Sequence, residues 1–362
     1  MIENPAVARA RELVLAYGWN STSFQIVNPG IKRWFSTDGK AVVGYVPAAG
    51  FRIVAGSPVC PFEQLPDVIK AFESDSAKSK ERVCYFCAES RLESAVRDTD
   101  HHTKFLLGAQ PTWNPAAWPE IISTHRSLRA QLNRSRNKGV SVTEYSPENA
   151  ADDPRLADCL YQWLDSKPLP PLHFLVEPET LKRLDHRRIF VAECKNEVVG
   201  FVTLSPISER NGWLFEQFPH RPGAPNGTVE LMIDAAMRAV AADGCDYATL
   251  GLAPLSRRAS VEPFRNPFWL SVALAWLRKH GQRFYNFDGL DAFKAKLRPD
   301  KWEPVFAVTN ESRVSAKTLY AIASAFSGNA PGRMMFGAVG KAVTTELKWL
   351  RRRLTTGSAH VS

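Results

Sequence analysis

The sequence predicts a mixed α/β fold (α+β in the arrangement of its elements) with two tandem domains of similar design, and three observations carry that expectation. Trp34 to Val46 reads as two short strands meeting at Asp38-Gly39, a pair that tolerates the backbone of a tight hairpin. Ile189 to Val202 has the same form, and Val198-Val199-Gly200-Phe201-Val202 echoes Val42-Val43-Gly44-Tyr45-Val46, as a duplicated unit would. Val229, Met232, Ile233, Ala236, Met237 and Val240 recur at helical spacing up to Gly244. A strand over Tyr247 to Leu252 and a helix over Phe268 to Lys279 follow, an alternation that implies a sheet with helices packed on it.

The expected boundaries are 1–120 for the first domain, 121–139 for a connecting basic helix, 140–310 for the second domain and 311–362 for a basic tail. At 362 residues and 44% hydrophobic content the chain can bury a core in each domain. Lys and Arg total 46 against 37 Asp and Glu, so the formal charge of +9 favours a polyanionic partner, RNA or an anionic lipid surface. Met1 to Trp19 has no charged start followed by an apolar block, and no window approaches the roughly 20 apolar residues of a spanning helix. Contact with a membrane is therefore expected from the water side.

Six scattered cysteines fit a reducing cytoplasm, and Cys84-Tyr85-Phe86-Cys87 reads as part of a buried strand, since one such pair without a second suggests no zinc. In the connecting segment Ile121 to Lys138, Leu128 and Leu132 share one helical face. His125, Arg126, Arg129, Arg134, Arg136 and Lys138 crowd the rest, either as a solvated surface or as a track for RNA phosphates. In the tail, Phe336, Val339, Val343, Leu347, Leu350 and Leu354 form one stripe with Lys341, Lys348, Arg351, Arg352 and Arg353 mostly off it. With Trp349 beside that stripe, the tail can rest in the headgroup region of an anionic bilayer or dock on the protein's own core.

No Cys-His or Ser-His-Asp arrangement and no phosphate-loop motif is present, so covalent catalysis is not the first expectation. The helix start at Pro225-Asn226-Gly227-Thr228 offers Asn226 or Thr228 as a cap and a dipole end attractive to an anion. A strand, a polar loop and a helix start suit the fold of acyl-CoA N-acyltransferases. The usual Arg or Gln, two residues, Gly, one residue, Gly or Ala turn is missing, which makes coenzyme A the less favoured donor.

Four segments in order carry a specific resemblance: Ala224 to Thr228, Leu250-Gly251-Leu252-Ala253-Pro254-Leu255, Phe284-Tyr285-Asn286-Phe287-Asp288-Gly289-Leu290 with Phe293-Lys294-Ala295-Lys296, and Trp302-Glu303-Pro304. They resemble the motif series of the phosphatidylglycerol lysyltransferase C-terminal family, and Ala55 to Val59 and Leu128 to Gly139 are similar to its first domain and connecting helix. The resemblance spans Phe24 to Val308. It implies two tandem acyl-CoA N-acyltransferase-like domains, with catalysis in the second. There the amino acid of a charged tRNA, lysine or another, passes to the hydroxyl of phosphatidylglycerol or a related lipid, with no cofactor and no metal. The membrane-spanning region that precedes this part in the family has no counterpart here, so the basic tail gains interest as an anchor at the inner face of the membrane.

The resemblance also implies roles for single residues. Lys294 and Lys296 match the family's lysine pair and either can hold a phosphate of tRNA or lipid, or polarise the ester carbonyl. Their spacing puts both on one side of a strand but on different sides of a helix. Glu216 and Glu230 match acids flanking the loop, where a carboxylate can meet the ammonium of the amino acid or form a structural salt bridge; Glu230 joins the lysines as a catalytic candidate. Asn226, Gly227, Thr228, Ser256, Tyr285, Asn286, Arg298 and Glu303 are the remaining expected substrate contacts. Pro219, followed by His220 and Arg221, stands where the family often has Arg, which leaves the amino acid and the acceptor open. The implied partners are an aminoacyl-tRNA and an anionic phospholipid surface, not DNA. Transfer to a soluble acceptor, an acyl-CoA-dependent N-acyltransferase and a non-catalytic binding protein are the competing readings.

Overall fold

Two hairpins lie toward opposite ends of the sheet, and both are local in origin. The computed structural model describes residues 4–167, 173–259, 266–280 and 286–327. In the first half, α1 (Pro5–Tyr17) precedes β1 (Lys32–Phe35), β2 (Val42–Ala48) and β3 (Phe51–Ala55). Then come α2 (Leu65–Lys78), β4 (Arg82–Ala88), α3 (Ser90–Ala95) and β5 (Thr103–Trp113). Trp34 pairs with Val43 across the first hairpin, and the Asp38 carboxylate accepts from the Lys40 amide to close its turn. Cys84 and Cys87 lie buried in β4, as the apolar run predicts.

The predicted single helix over Ile121 to Lys138 is two: α4 (Trp118–Thr124) and α5 (Arg126–Asn137), broken at His125. Thr124 Oγ1 bonds the Glu120 carbonyl, and Arg129 reaches back to the carbonyls of Ile122 and Ser123, so the end of α4 is capped by the next helix. Leu128 and Leu132 are buried together, as their spacing requires.

The second half adds β6 (Val140–Tyr145), α6 (Pro147–Ala151), α7 (Pro154–Asp165), β7 (Arg188–Cys194), β8 (Glu197–Ile207), β9 (Gly212–Phe215) and α8 (Thr228–Ala242). β10 (Tyr247–Thr249), β11 (Ala253–Pro254), α9 (Phe268–His280), α10 (Phe287–Lys296), β12 (Lys301–Thr309) and α11 (Ala316–Phe326) complete it. β7 and β8 form the second hairpin, with Lys195 and Asn196 both at positive φ as a tight two-residue turn demands. α8 buries Met232, Ile233, Ala236, Met237 and Val240 completely. Each of the larger side chains contributes about 2 kcal/mol relative to exposure.

Among the described residues all twelve strands join in one mixed sheet, ordered β1-β2-β3-β4-β12-β5-β10-β9-β8-β7-β6, with β11 also on β5. The sheet is continuous across the expected boundary at residues 121–139. β12, from the end of the second half, lies between β4 and β5 of the first. The predicted stripe of the tail, with Lys348, Trp349, Arg351, Arg352 and Arg353, lies outside the described residues.

Candidate active site

β9 and β10 run parallel from the Tyr247 and Gly212 pair to the Thr249 and Leu214 pair, and then part. The chain after β9 stays with β8, the Phe201 amide donating to the Pro219 carbonyl. The chain after β10 stays with β5, its other neighbour, where Ala253 pairs with Ala109. The predicted strand to Leu252 therefore ends at Thr249: Gly251 adopts a φ of +67°, open to glycine at little cost, and turns the chain out of the sheet. A cleft at the carboxyl ends of diverging parallel strands is where α/β sheets bind ligands.

The chain leaving β9 enters a buried polar network centred on Glu216. Its carboxylate accepts from Gln25 (2.9 Å), Thr203 (3.1 Å) and Arg187 (3.1 Å), and Arg187 also donates to Asn28 Oδ1 at 2.8 Å. The side chains of Arg187 and Glu216 are 1% and 5% exposed, and the guanidinium lies over the Phe24 ring at 4.8 Å. The Glu216 charge is thus already compensated from within the protein.

The chain leaving β10 is the segment Leu250–Gly251–Leu252, and Lys294 holds it. Its Nζ donates to the carbonyls of Leu250 (2.8 Å), Gly251 (2.8 Å) and Leu252 (2.9 Å), which uses all three ammonium protons. Lys294 is 4% exposed, and burial pushes its pKa down to about 7 against the opposing charge of Asp291. Because a trans peptide sets C=O and N–H on opposite sides, drawing the Gly251 carbonyl to Lys294 turns the Leu252 amide away from that lysine.

Lys296 goes elsewhere, as two positions on a helix require. It meets Glu230 at 2.6 Å, joining the last turn of α10 to the first turn of α8. Each charge faces the favourable end of its own helix dipole. The start of α8 therefore carries its own anion and is not the open anion site that the loop predicts. Neither Asn226 nor Thr228 caps it: Asn226 is exposed, the Thr228 hydroxyl donates to the Pro225 carbonyl, and the cap position is Gly227 at φ +95°. A Cβ on Gly227 would lie 2.4 Å from the Gln131 carbonyl, so α5 is seated directly on this turn.

The other expected contacts are scattered. Ser256 donates to Asp291 (2.6 Å), Asn286 caps α10 by accepting from the Gly289 amide (2.8 Å), and Arg298 is exposed just past α10. Glu303 lies toward the opposite end of the parallel pair, bound through both oxygens to Arg210 (2.7 and 3.0 Å) and to Gln110 and Tyr247. Burial alone would raise Glu303, but the Arg210 guanidinium holds it below the usual carboxylate range. Burial pushes neighbouring Glu89 up against the pull of the same guanidinium. Of the basic residues expected on RNA, Arg136 pairs with buried Asp234 (2.8 Å) and Arg129 caps α4, while Arg126 and Arg134 are exposed on α5 and Lys138 is exposed at its C-terminal cap. Tyr285 lies outside the described residues.

Sequence reading missed Gln25, Asn28, Arg187 and Arg210, whose partners lie far away along the chain. It also missed a concavity lined by Arg257, Arg258, Arg278 and Asp291, for which the Arg257-Arg258 pair was the available signal. Among the described residues one group, Glu73, His101 and His102, has metal-ligand spacing. Both ring nitrogens of His102 are engaged, by Thr99 and Glu73, so the group reads as a hydrogen-bonded cluster.

A diverging parallel pair with these motifs around it can be compared with known proteins. The model of the phosphatidylglycerol lysyltransferase C-terminal family matches residues 11–309. The chain belongs to that family. It is 24% identical over 296 residues to the phosphatidylglycerol lysyltransferase of Bacillus subtilis (strain 168), covering 81% of this chain and 34% of that protein. The chain thus spans about a third of that relative's length. Its fold matches the C-terminal domain of a lysylphosphatidylglycerol synthetase from Agrobacterium fabrum at a TM-score of 0.75, with 22% identity, over 90% of this chain and 98% of that one. It likewise matches L-PGS from Bacillus licheniformis at a TM-score of 0.73, with 20% identity, over 89% and 95%.

Proposed function

We propose that this family member transfers an aminoacyl group, lysine or a similar amino acid, from a charged tRNA to the hydroxyl of phosphatidylglycerol at the inner face of the membrane. The observation that carries the reading is the parting of the parallel strands β9 and β10, one leading into the Glu216 network and the other into the backbone held by Lys294. Family membership supports the lipid acceptor. The missing pyrophosphate turn, together with an α8 start that carries Glu230 and is packed by α5, disfavours coenzyme A as donor.

The chemistry asks little of the protein, because the aminoacyl ester is already activated. The lipid hydroxyl oxygen attacks the ester carbonyl carbon, a new ester bond forms, the bond to the ribose oxygen breaks, and the proton passes from the hydroxyl to that departing oxygen. The Leu252 amide, turned away from Lys294, donates to the tetrahedral oxyanion, a preorganised dipole of the kind that lowers such barriers. Lys294 acts through that segment as a positioning residue. Glu216, neutralised by Arg187, offers hydrogen-bond acceptance to the ammonium of the amino acid. The exposed Arg126, Arg134 and Lys138 supply charge for the RNA backbone.

The test is transfer itself. The chain, phosphatidylglycerol vesicles and tRNA charged with labelled lysine or, in parallel, labelled alanine should give a chloroform-soluble label that ribonuclease pretreatment abolishes. A label that stays in the aqueous phase with both amino acids contradicts the proposal.

A further inference from the structure

α9 turns its apolar side the wrong way for an ordinary surface helix. Leu270 and Leu274 face the core, yet the opposite arc carries Phe268, Val272 and Trp276 at every fourth position, with Trp269 beside them. These side chains are 85%, 52%, 64% and 44% exposed. A solvated face normally carries polar residues, and an exposed aromatic patch of this kind marks an interaction surface. The helix is not loosely attached: Asn266 exchanges two hydrogen bonds with the backbone of Leu106, and Arg278 donates to the Leu255 carbonyl (2.8 Å) and pairs with Asp288.

Charge identifies what this face meets. Arg278 shares its concavity with the exposed Arg257 and Arg258, and Lys279 is exposed on the last turn of α9. Asp291 and Asp288 offset two of these four cations, which leaves the rim positive. The basic segment 328–362 would bring Lys341, Lys348 and Arg351 to Arg353 against like charge. An anionic bilayer brings the opposite charge, together with an interface that favours Trp and Phe.

We propose that α9 is the membrane-docking element, lying on an anionic bilayer with Phe268, Trp269, Val272 and Trp276 in the boundary between headgroups and acyl chains and Arg257 and Lys279 on lipid phosphates. The inference rests on the lipid-acceptor reading and places it in space. Leu255, which accepts from Arg278, is three residues beyond Leu252, the last residue that Lys294 holds, so the docked face is tied by a short stretch of chain to the place where the lipid hydroxyl must arrive.

The experiment is co-sedimentation of the full chain with vesicles of mixed phosphatidylglycerol and phosphatidylcholine, and with phosphatidylcholine alone. Three variants are compared: Phe268→Ser/Trp269→Ser/Val272→Ser/Trp276→Ser, the single Val272→Asp, and Arg351→Gln/Arg352→Gln/Arg353→Gln in the tail. The expected result is binding that requires phosphatidylglycerol and falls at least about tenfold in both α9 variants, with unchanged melting temperature. Val272→Asp decides the matter if the fourfold variant does not fold. Undiminished binding by the α9 variants, binding lost only in the tail variant, or α9 variants that dissociate a dimer without affecting vesicle binding would each overturn the proposal. Vesicle binding that depends on α9 in a protein that makes no labelled lipid would leave the docking intact and remove the functional reading.

Discussion

Lys294 Nζ lies 2.8 Å from the carbonyl oxygen of Gly251, between the carbonyls of Leu250 and Leu252, and so fixes the point at which the chain leaves β10. Replacing it by Met removes the donor to three inward-facing carbonyls. Leaving buried acceptors unpaired costs about 1–3 kcal/mol each at most, and water entry recovers part of that. Lys294→Met is expected to lose about 3 kcal/mol of stability in urea unfolding, with transfer activity falling more steeply than the folded fraction.

The same lysine gives a pH signature. Its folded pKa, about 7, lies below the unfolded value of 10.5, so between those values the unfolded chain binds more protons. Stability from this group therefore rises as pH increases from about 7 toward 10.5. The stability gap between wild type and Lys294→Met should widen from pH 6.5 to pH 9, roughly across that window; a constant or shrinking gap contradicts the assignment.

Arg187 and Glu216 form an ion pair whose side chains are both almost fully buried. Arg187→Met strands a buried carboxylate and is expected to cost about 3–5 kcal/mol. The double variant Arg187→Met/Glu216→Leu should recover much of that loss while abolishing transfer. Denaturation midpoints and the transfer assay separate the two effects.

Glu230 and Lys296 are one-third exposed on the lysine side, so screening limits their coupling to about 1 kcal/mol. A double-mutant cycle with Glu230→Gln and Lys296→Met, repeated at high salt, should show that coupling shrink.

Gly227→Ala combines a φ of +95° with a Cβ 2.4 Å from the Gln131 carbonyl. It should destabilise by about 2 kcal/mol or more by prying α5 from α8. A thermal shift below about 2 °C would contradict that packing.

What the sequence makes legible is what its local periods encode. The hairpin at Asp38-Gly39, the one turning at Lys195-Asn196, the burial of Cys84 and Cys87, and the core face of α8 all follow from neighbours within a few residues. The break at His125 escapes because it depends on Arg129 folding back to cap α4. The insertion of β12 between β4 and β5 escapes because strand pairing over some two hundred residues leaves no local period. The spacing of Lys294 and Lys296 does say that a helix would separate them, and α10 does so. It cannot say that one meets three carbonyls and the other Glu230. Glu216 and Glu303 look alike as acids near motifs, yet Arg187 and Arg210 neutralise them at opposite ends of one strand pair. Motif order places a site in a domain; long-range ion pairs decide which of its charges remain available.

The most direct measurement is a crystal structure with a non-hydrolysable analogue of the charged tRNA end, an adenosine carrying the amino acid through a 3′-amide. The account predicts the aminoacyl group between β9 and β10, its carbonyl oxygen within hydrogen-bond reach of the Leu252 amide and its ammonium toward Glu216. Density for the analogue at the start of α8, or anywhere outside the cleft with that cleft closed, contradicts it.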